Sequence, residues 1–308
     1  MKPLRIAIVG FGKIARDQHV PAIAANPRLE LAATVTRGGT GIDGVPCFAD
    51  HREMLRSIDG LDAAVVSTPP SARYAIASDC LEAGLHTLLE KPPGVTLGEV
   101  DDLARIASSR ELTLYASWHA QHNPAVSAAA ELVGAQPPRS LDIVWHEDVR
   151  KWHPGQAWVW EPGGFGVFDP GINALSIASR IVPAPLILQQ AELTVPANKQ
   201  MPIAASLGFA NGYTASFDWR HSGGERWTIA MQTAEGLWIS LLDGGARLEV
   251  DGTTVAGADT GEGEYPSIYA RFVDLLDARQ SEVNVDPLRI VADAFMMARR
   301  VSGDAFLD

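Results

Sequence analysis

The chain has 308 residues, a composition usual for globular proteins and a formal net charge of −12, so we expect two domains rather than one core. The acidic balance argues against a nucleic-acid partner and an anionic membrane surface, and no apolar run reaches the roughly 20 residues of a membrane helix. The two cysteines, Cys47 and Cys80, are far apart and in no ligand spacing, which predicts a reduced, cytoplasmic protein.

The first predicted strand ends in a glycine-rich turn. Apolar residues 4–9 lead into Gly10 and Gly12, and helix-compatible sequence containing Lys13 and Ile14 follows at once. Such a turn points a helix amino end at an anion, and its glycines let the backbone approach a pyrophosphate. The sequence therefore predicts a dinucleotide site, provided that the rest of the chain supplies the matching context.

Apolar runs and amphipathic stretches alternate from residue 4 to about residue 134. This alternation predicts parallel strands joined by helices, that is, an α/β Rossmann domain. The predicted strands are Leu4–Val9, Leu29–Val35, Asp62–Ser67, His86–Leu89 and Leu112–Ala116, with helices that include Ala72–Ala83 and Leu97–Ser108.

The pattern changes near residues 137 and 138, both proline. Beyond them apolar and polar residues alternate, for example over Tyr213–Arg220 and Trp227–Met231, as in strands with one buried face. We therefore expect an α+β domain with a large, mostly antiparallel open sheet, closed by helices over Ile268–Leu276 and Leu288–Arg300.

These two patterns divide the chain into a dinucleotide-binding domain at 1–122 and a substrate-binding and oligomerisation domain at 123–308. This division allows the C-terminal helix to pack back on the first domain. An exposed sheet face in the second domain favours a homodimer or homotetramer.

The end of the second predicted strand bears on the choice of dinucleotide. It ends in Thr36 and Arg37, and no acid follows until Asp43. An acid would hold the ribose 2′-hydroxyl of NAD, whereas a hydroxyl and a guanidinium suit a 2′-phosphate. We expect NADP to be preferred and NAD tolerated. The alternative is that Arg37 is a surface charge, or that it lies against the adenine of either cofactor.

A second motif, Glu90-Lys91-Pro92, ends a buried strand, and an earlier turn carries Thr68 and Pro69. With the glycine turn, these motifs resemble those of the Gfo/Idh/MocA oxidoreductase family. That resemblance implies a lysine beside the nicotinamide and a carboxy-terminal domain with an open sheet for the substrate. The cofactor-binding residues that follow are Gly10, Gly12, Lys13, Ile14, Thr36, Arg37, Thr68, Pro69, Glu90 and Lys91.

The segment 163–173 resembles the family's substrate motif, in which a glycine pair precedes Asp-x-Gly-x-His. Here Asp169 and Gly171 are present, but Asn173 stands in place of the histidine that often serves as acid or base. Asp169 and Asn173 are four residues apart and share one face if the segment is helical. Each has a plainer interpretation: Asp169 as a helix cap, and Asn173 as an ordinary polar residue.

The stretch 145–156, followed by Trp158 and Trp160 and taken together with 169–173, is similar to bacterial aldose 1-dehydrogenases that act on L-arabinose and D-galactose, and this resemblance alone suggests the sugar. The residues predicted to bind the substrate are Lys91, His119, Glu147, Trp152, His153, Asp169 and Asn173. His119 is included because it follows the last predicted parallel strand at the edge of the crevice, and Trp152 because an indole packs well on the C–H face of a pyranose. Glu147 could equally be a solvated strand residue.

The implied reaction oxidises the C1 hydroxyl of the aldose to an aldonolactone. The Lys91 ammonium would stabilise charge on O1, Asp169 would take the proton in place of the missing histidine, and Asn173 would orient the sugar or Lys91. A rival assignment makes Lys91 the base.

Three other functions stay open: another sugar, amino-sugar or inositol oxidoreductase of the same family, a non-catalytic NADP-binding sensor, and an enzyme that keeps its nicotinamide while shuttling hydride between two substrates. No metal is expected, because the histidines lack tight ligand spacing and hydride transfer to a nicotinamide needs none.

Overall fold

The structure is a computed structural model that describes residues 2–134, 136–257 and 263–307. The chain forms two compact units. The first unit consists of Met1–Trp118 and Tyr265–Val285, and the second of His119–Glu264 and Asp286–Asp308. Across the described ranges, no helix is long and apolar enough to cross a bilayer.

The first unit contains a six-stranded sheet in which every pairing is parallel. The strand order is β3-β2-β1-β4-β5-β6, which reverses direction between β1 and β4. In such sheets ligands bind at the carboxyl ends of the strands where the order reverses. The strands are β1 (Leu4–Val9), β2 (Leu29–Val35), β3 (Cys47–Phe48), β4 (Ala63–Val66), β5 (His86–Leu89) and β6 (Leu114–Ala116). The predicted Rossmann domain is confirmed.

Helices join these strands, as the alternating pattern predicted. They are a wide helical turn (Ala15–His19) that leads into α1 (Val20–Ala25), then α2 (His51–Ser57), α3 (Pro70–Glu82) and α4 (Leu97–Ser109). A later helix, Glu264–Ala278, contributes Tyr269 and Phe272 to the same core as Ile6 and Ile8 of β1. This long-range packing explains why a segment so far along the chain belongs to the first unit.

The second unit contains a nine-stranded sheet in the order β14-β13-β12-β11-β7-β10-β9-β8-β15. Among the described residues, six of its eight strand pairs are antiparallel, and only β10·β7 and β15·β8 are parallel. The mostly antiparallel sheet is thus confirmed. Its strands are β7 (Ser140–His146), β8 (Leu188–Pro196), β9 (Ala204–Phe209), β10 (Thr214–Asp218), β11 (Arg226–Gln232), β12 (Trp238–Leu242), β13 (Arg247–Val250), β14 (Thr253–Ala256) and β15 (Arg299–Gly303).

The helices of the second unit are α5 (Pro124–Val133), α6 (Val149–Trp152), α7 (Phe168–Ile181) and α9 (Asp286–Met297). Helix α8 is Glu264–Ala278, which belongs to the first unit from Tyr265 onwards. Helix α7 lies directly on the sheet: the ring of Phe168 is 5.7 Å from that of Phe217. A Cβ at Gly171 would lie 2.8 Å from the Phe217 ring, so only glycine permits this approach.

One predicted helix boundary is wrong. The helix expected over Leu288–Arg300 ends at Met297, and the chain continues as β15, which pairs in parallel with β8. The apolar spacing of the helix continues to its predicted end, but edge pairing and the ion pair between Arg299 and Glu192 favour the strand. Tertiary pairing here overrides the local pattern.

Candidate active site

The glycine turn has the backbone that a dinucleotide site needs. Gly10 has φ +99°, and a Cβ there would lie 2.6 Å from the backbone nitrogen of Thr68, so both conformation and space require glycine. At Gly12, by contrast, a Cβ would meet no atom within 4 Å. Gly12 therefore leaves open space beside the backbone, where a pyrophosphate can approach.

A cleft of about 480 Å³ lies along this turn. Its lining joins the glycine turn to two of the three other predicted cofactor segments, and includes Gly10, Gly12, Thr36, Arg37, Thr68 and Pro69 but not Glu90 or Lys91. Within the described residues, the buried Thr68 hydroxyl oxygen has no hydrogen-bond partner. A buried hydroxyl without a partner suits a polar ligand that fills the cleft. The residues present therefore fit a nicotinamide dinucleotide.

The residues just after the turn are more exposed. Lys13 forms an ion pair with Asp17, one helical turn on, and the Ile14 side chain is exposed. The guanidinium of Arg16 lies 4.4 Å from the centre of the Phe11 ring and donates to loop carbonyls beyond Arg37. The cofactor roles of Lys13 and Ile14 stay predictions.

The carboxylate of Glu90 is the centre of a buried hydrogen-bond network in the first unit. Its Oε1 accepts from the Tyr265 hydroxyl at 2.8 Å and lies 3.2 Å from Nε2 of the fully buried His19. Its Oε2 accepts from the backbone N–H of Lys91 at 2.9 Å. The other nitrogen of His19 lies 2.9 Å from the Tyr269 hydroxyl, where burial and the Glu90 charge raise the pKa of Tyr269 far above its usual value. Glu90 thus orients the backbone that carries Lys91.

Arg73 donates hydrogen bonds to two of the predicted cofactor segments, the one that contains Thr68 and the one that contains Glu90. This arginine of α3 is 3% exposed. Its guanidinium donates to the carbonyl of Glu90 at 2.6 Å and to the carbonyls of Pro92 and Thr68. A buried guanidinium with several carbonyl acceptors is a rigid connection, because its donors are planar and fixed.

In the second unit, Asp169 lies in the first turn of α7 and is 6% exposed. The N-cap position belongs to Val167, so the capping interpretation of Asp169 is wrong. Its Oδ2 lies 3.4 Å from Nε2 of His153, longer than a usual hydrogen bond, and the contact becomes an ion pair when the imidazole is protonated. Asn173 follows one turn later on α7 and is half-buried. The structure therefore places an imidazole beside Asp169 although Asn173 replaces the family's histidine.

Glu147 is buried and holds two tryptophans. Its carboxylate accepts from the indole N–H of Trp219 at 3.3 Å and of Trp227 at 2.9 Å. The ring of Trp219 is 5.3 Å from that of His153, and the ring of Trp227 is 5.4 Å from that of Trp152. Four of the predicted substrate residues, Glu147, Trp152, His153 and Asp169, therefore form one connected cluster. Glu147 is not a solvated strand residue.

His119 lies in a different cluster of the second unit. Its Nδ1 is 2.9 Å from Oε2 of Glu264, whose other oxygen accepts from Asn123 at 2.8 Å. The same short helical turn is tied to α7, because Gln121 donates to the carbonyl of Ser176 at 2.8 Å.

Sequence reasoning missed four residues that hold these groups in place: His19, Arg73, Tyr265 and Glu264. His19, Tyr265 and Glu264 reach their partners across long sequence separations, for example 175 residues between Tyr265 and Glu90, whereas the partners of Arg73 lie 5 to 19 residues away. Sequence reasoning had marked the other end of several of these contacts, at Glu90, Thr68 and His119. In the part of the chain that the structure describes, no three His, Cys, Asp or Glu side chains form a possible metal site.

The fold and the site define a class of protein. The first unit is a Rossmann unit with a cleft that suits a dinucleotide, and the second unit carries a buried acid–imidazole pair. This is the arrangement of a two-domain nicotinamide-dependent oxidoreductase. Residues 4–117 match the oxidoreductase family with an NAD-binding Rossmann fold, GFO_IDH_MocA. The chain belongs to this Gfo/Idh/MocA family.

Two full-length relatives agree with this assignment, and a third protein shares the fold. The chain is 44% identical over 312 residues to the galactose 1-dehydrogenase of Pseudomonas fluorescens, with 100% of both chains covered. The D-galactose-1-dehydrogenase structure from Rhizobium etli is 46% identical, with a TM-score of 0.94 over 100% of this chain and 99% of that one. A 3-ketoreductase from Actinomadura kijaniata, solved with TDP-benzene and NADP, is 18% identical with a TM-score of 0.81 over 98% and 100%. This last likeness shows the fold alone.

Proposed function

We propose that the protein oxidises the anomeric C1 hydroxyl of D-galactose to the aldonolactone, and that it oxidises L-arabinose in the same way with a lower kcat/KM. The observation that carries this proposal is the likeness to two galactose 1-dehydrogenases over their whole lengths. L-Arabinose is included because it shares the ring-hydroxyl configuration of D-galactose and lacks only the hydroxymethyl group. One extra or missing methylene changes transition-state binding by only about 1–3 kcal/mol, and an added hydroxyl is rejected only weakly by an apolar pocket, so one site can act on both sugars.

NADP is the proposed cofactor, with NAD used less well. The support is local: Thr36 and Arg37 line the cleft, and the acid in its described lining, Asp50, lies beyond the end of β2. A guanidinium offers two parallel donors and a permanent charge to a 2′-phosphate. When bound, the cofactor supplies the hydride acceptor, and the protein supplies placement and charge.

Asp169 is the proposed proton acceptor from the anomeric hydroxyl. Burial strengthens its interactions, and its place in the first turn of α7 lets the helix dipole stabilise the carboxylate. His153, at 3.4 Å, orients the carboxylate and can stabilise its charge. Asn173, one turn along the same helix, orients the sugar through its amide.

Lys91 is proposed to hydrogen-bond O1 and stabilise the negative charge that develops there. Its backbone is held by Glu90, whose carboxylate accepts from the Tyr265 hydroxyl and lies 3.2 Å from Nε2 of His19. Such preorganisation matters because a donor that is already aimed costs no reorganisation during the reaction.

The remaining groups are proposed to hold the sugar ring. Trp152 is 43% exposed, which leaves an indole face for the C–H side of a pyranose. His119 and His153 would contact ring hydroxyls. Glu147 accepts from two indoles, so its proposed part is to fix the aromatic wall as well as to accept from a sugar hydroxyl.

The test is a spectrophotometric panel. Purified protein is mixed with NADP or NAD and with D-galactose, L-arabinose, D-xylose or D-glucose, and the absorbance of reduced cofactor is followed. We expect the highest kcat/KM with D-galactose and NADP. Asp169→Asn should lower kcat by roughly 100-fold or more, the usual contribution of a general base, whereas Asp243→Asn, an exposed partner of Arg247, serves as control.

Two results would refute the proposal. A protein that reduces neither cofactor with any aldose would favour the sensor or an oxidoreductase for another substrate. Near-normal turnover of Asp169→Asn with an unchanged pH profile would exclude Asp169 as the base and favour Lys91.

The open sheet is the proposed subunit interface of a homodimer or homotetramer. Outward-facing residues on β10, such as Thr214 and Ser216, are small and polar, whereas Ala215 and Phe217 between them are buried. Light scattering after gel filtration gives the subunit number, and a monomer at micromolar concentration would contradict this proposal.

A further inference from the structure

His119 and Glu264 form an imidazole–carboxylate pair that sequence reasoning did not identify. Nδ1 of His119 lies 2.9 Å from Oε2 of Glu264, although the two residues are 145 positions apart. Both side chains are largely shielded, with 19% and 26% of their surfaces exposed. Solvent-exposed ion pairs contribute little to stability, and this pair is largely shielded from solvent.

Asn123 holds the other side of the pair. Its amide nitrogen donates to Oε1 of Glu264 at 2.8 Å and to the carbonyl of Gly244 at 2.8 Å. A backbone carbonyl can only accept, so this second bond determines which end of the Asn123 amide is the nitrogen. Asn123 is thereby fixed as a donor, and the carboxylate of Glu264 is fixed between two donors.

This arrangement determines the protonation pattern of the imidazole. An ionised carboxylate has no proton to give, so Nδ1 of His119 must carry the hydrogen. In the neutral ring the other nitrogen, Nε2, then has the lone pair and acts as an acceptor. Removing the Glu264 carboxylate removes the acceptor that favours this tautomer.

The turn that carries His119 also has a defined place in the second unit. Gln121 ties this turn to α7 through the carbonyl of Ser176. Helix α7 carries Asp169 and Asn173, the residues proposed to act on the sugar. The pair therefore lies on a rigid support next to the helix of the proposed chemistry, which is where a sugar-binding acceptor is useful.

We propose that Glu264 and Asn123 are positioning residues that lock His119 as the Nδ1–H tautomer, so that its Nε2 accepts a hydrogen bond from a ring hydroxyl of the aldose. The hydroxyl-binding part rests on the proposed function, whereas the tautomer can be tested without any sugar. A site built to accept from a hydroxyl rejects the deoxy analogue strongly, so this residue would contribute to sugar specificity.

The first experiment is nuclear magnetic resonance on protein labelled with ¹⁵N-histidine. Long-range ¹H–¹⁵N spectra distinguish a protonated from an unprotonated ring nitrogen, and His119→Gln assigns the signals. Wild type should show Nδ1 protonated and Nε2 unprotonated near pH 7.5. Glu264→Gln should change the tautomer balance of His119, while Glu192→Gln, which removes a carboxylate paired with Arg299, should leave it unchanged.

The double variant Glu264→Gln/Asn123→Asp provides a rescue. It exchanges the amide and the carboxylate, so that residue 264 can donate to residue 123 while its carbonyl oxygen still accepts from Nδ1. The bond from residue 123 to the carbonyl of Gly244 is lost in this variant, and Asn123→Asp alone is the control for that loss. Recovery of the Nδ1–H tautomer would identify hydrogen-bond direction, rather than general stability, as the role of Glu264. A wild-type spectrum with both nitrogens protonated, or with Nε2–H, would overturn the inference.

Kinetics tests the sugar-binding part. Glu264→Gln should raise KM for D-galactose roughly tenfold, the effect of weakening one strong hydrogen bond, with a smaller change in kcat. Among the monodeoxygalactoses, one should show the largest fall in kcat/KM relative to D-galactose with the wild-type enzyme. With His119→Gln, the difference in kcat/KM between that analogue and D-galactose should be small. An Nδ1–H tautomer in a protein that oxidises no aldose would refute the proposed function and leave the His119–Glu264 pair intact. A working dehydrogenase with unaltered KM in Glu264→Gln would refute the inference alone.

Discussion

Replacing Arg73 with methionine tests how the cofactor-binding segments are held together. The side chain is 3% exposed and donates to the carbonyls of Glu90, Pro92 and Thr68. Each hydrogen bond from a charged donor contributes about 1.5–3 kcal/mol, and such contributions are not additive. Because Arg73→Met leaves buried carbonyls without their donor, we expect the free energy of unfolding to fall by about 3–5 kcal/mol.

Thermal unfolding followed by circular dichroism measures this loss. For a chain of this size 1 kcal/mol corresponds to about 2–4 °C, so Tm should fall by roughly 10 °C. The Kd for NADP should rise as well, since Thr68 lines the cleft. Arg73→Lys keeps the charge but not the fork, and should recover only part of the loss. Arg105→Met, an exposed partner of Asp102, is the matched control. A Tm for Arg73→Met within 2 °C of wild type would refute this interpretation of Arg73.

Three further predictions concern the first unit. Arg37→Ala should weaken NADP binding roughly tenfold or more and leave NAD nearly unchanged, measured as Kd by calorimetry; equal losses for both would exclude a contact with the 2′-phosphate. Tyr265→Phe removes the hydroxyl that donates to Glu90 and should lower stability by about 1–3 kcal/mol in urea unfolding, and kcat more than KM; unchanged values would show that Glu90 needs no such support. Burial lowers the pKa of His86 from 6.5, although the nearby Asp62 charge opposes this, and its Nδ1 accepts from the backbone. As pH falls, the unfolded chain therefore binds the proton before the folded chain does. The contribution of neutral His86 to the free energy of unfolding is thus present above about pH 6.5 and is lost as pH falls through the lower folded pKa. His86→Gln should flatten the stability profile in that window, and an unaltered profile would contradict it.

The first half of the fold could be predicted from the sequence because its information is local. A strand, a glycine turn and a helix follow one another within a few residues, and the strand order is limited by the βαβ connections. The structure adds the physical reason for Gly10, whose Cβ would collide with the backbone of Thr68. That collision depends on β4 lying beside β1, which the motif does not state.

The second half was predicted less completely because its contacts are long-range. Strands β7 and β10 pair in parallel although about 70 residues separate them, and the local pattern predicts the end of a helix where β15 forms. The site has the same limit. The likeness to the family indicated Asp169 and Asn173, but no local pattern placed His153 beside Asp169 or Glu264 beside His119. These contacts are made by folding, and only the structure reveals them.

Hydride transfer from the anomeric carbon is tested most directly with D-galactose that carries deuterium at C1. The protein is incubated with this sugar and NADP, and the reduced cofactor is analysed by mass spectrometry. We expect reduced cofactor one mass unit heavier than with unlabelled sugar, and a product that has lost the label. Unlabelled reduced cofactor, or deuterium retained at C1 of the product, would contradict oxidation at that carbon.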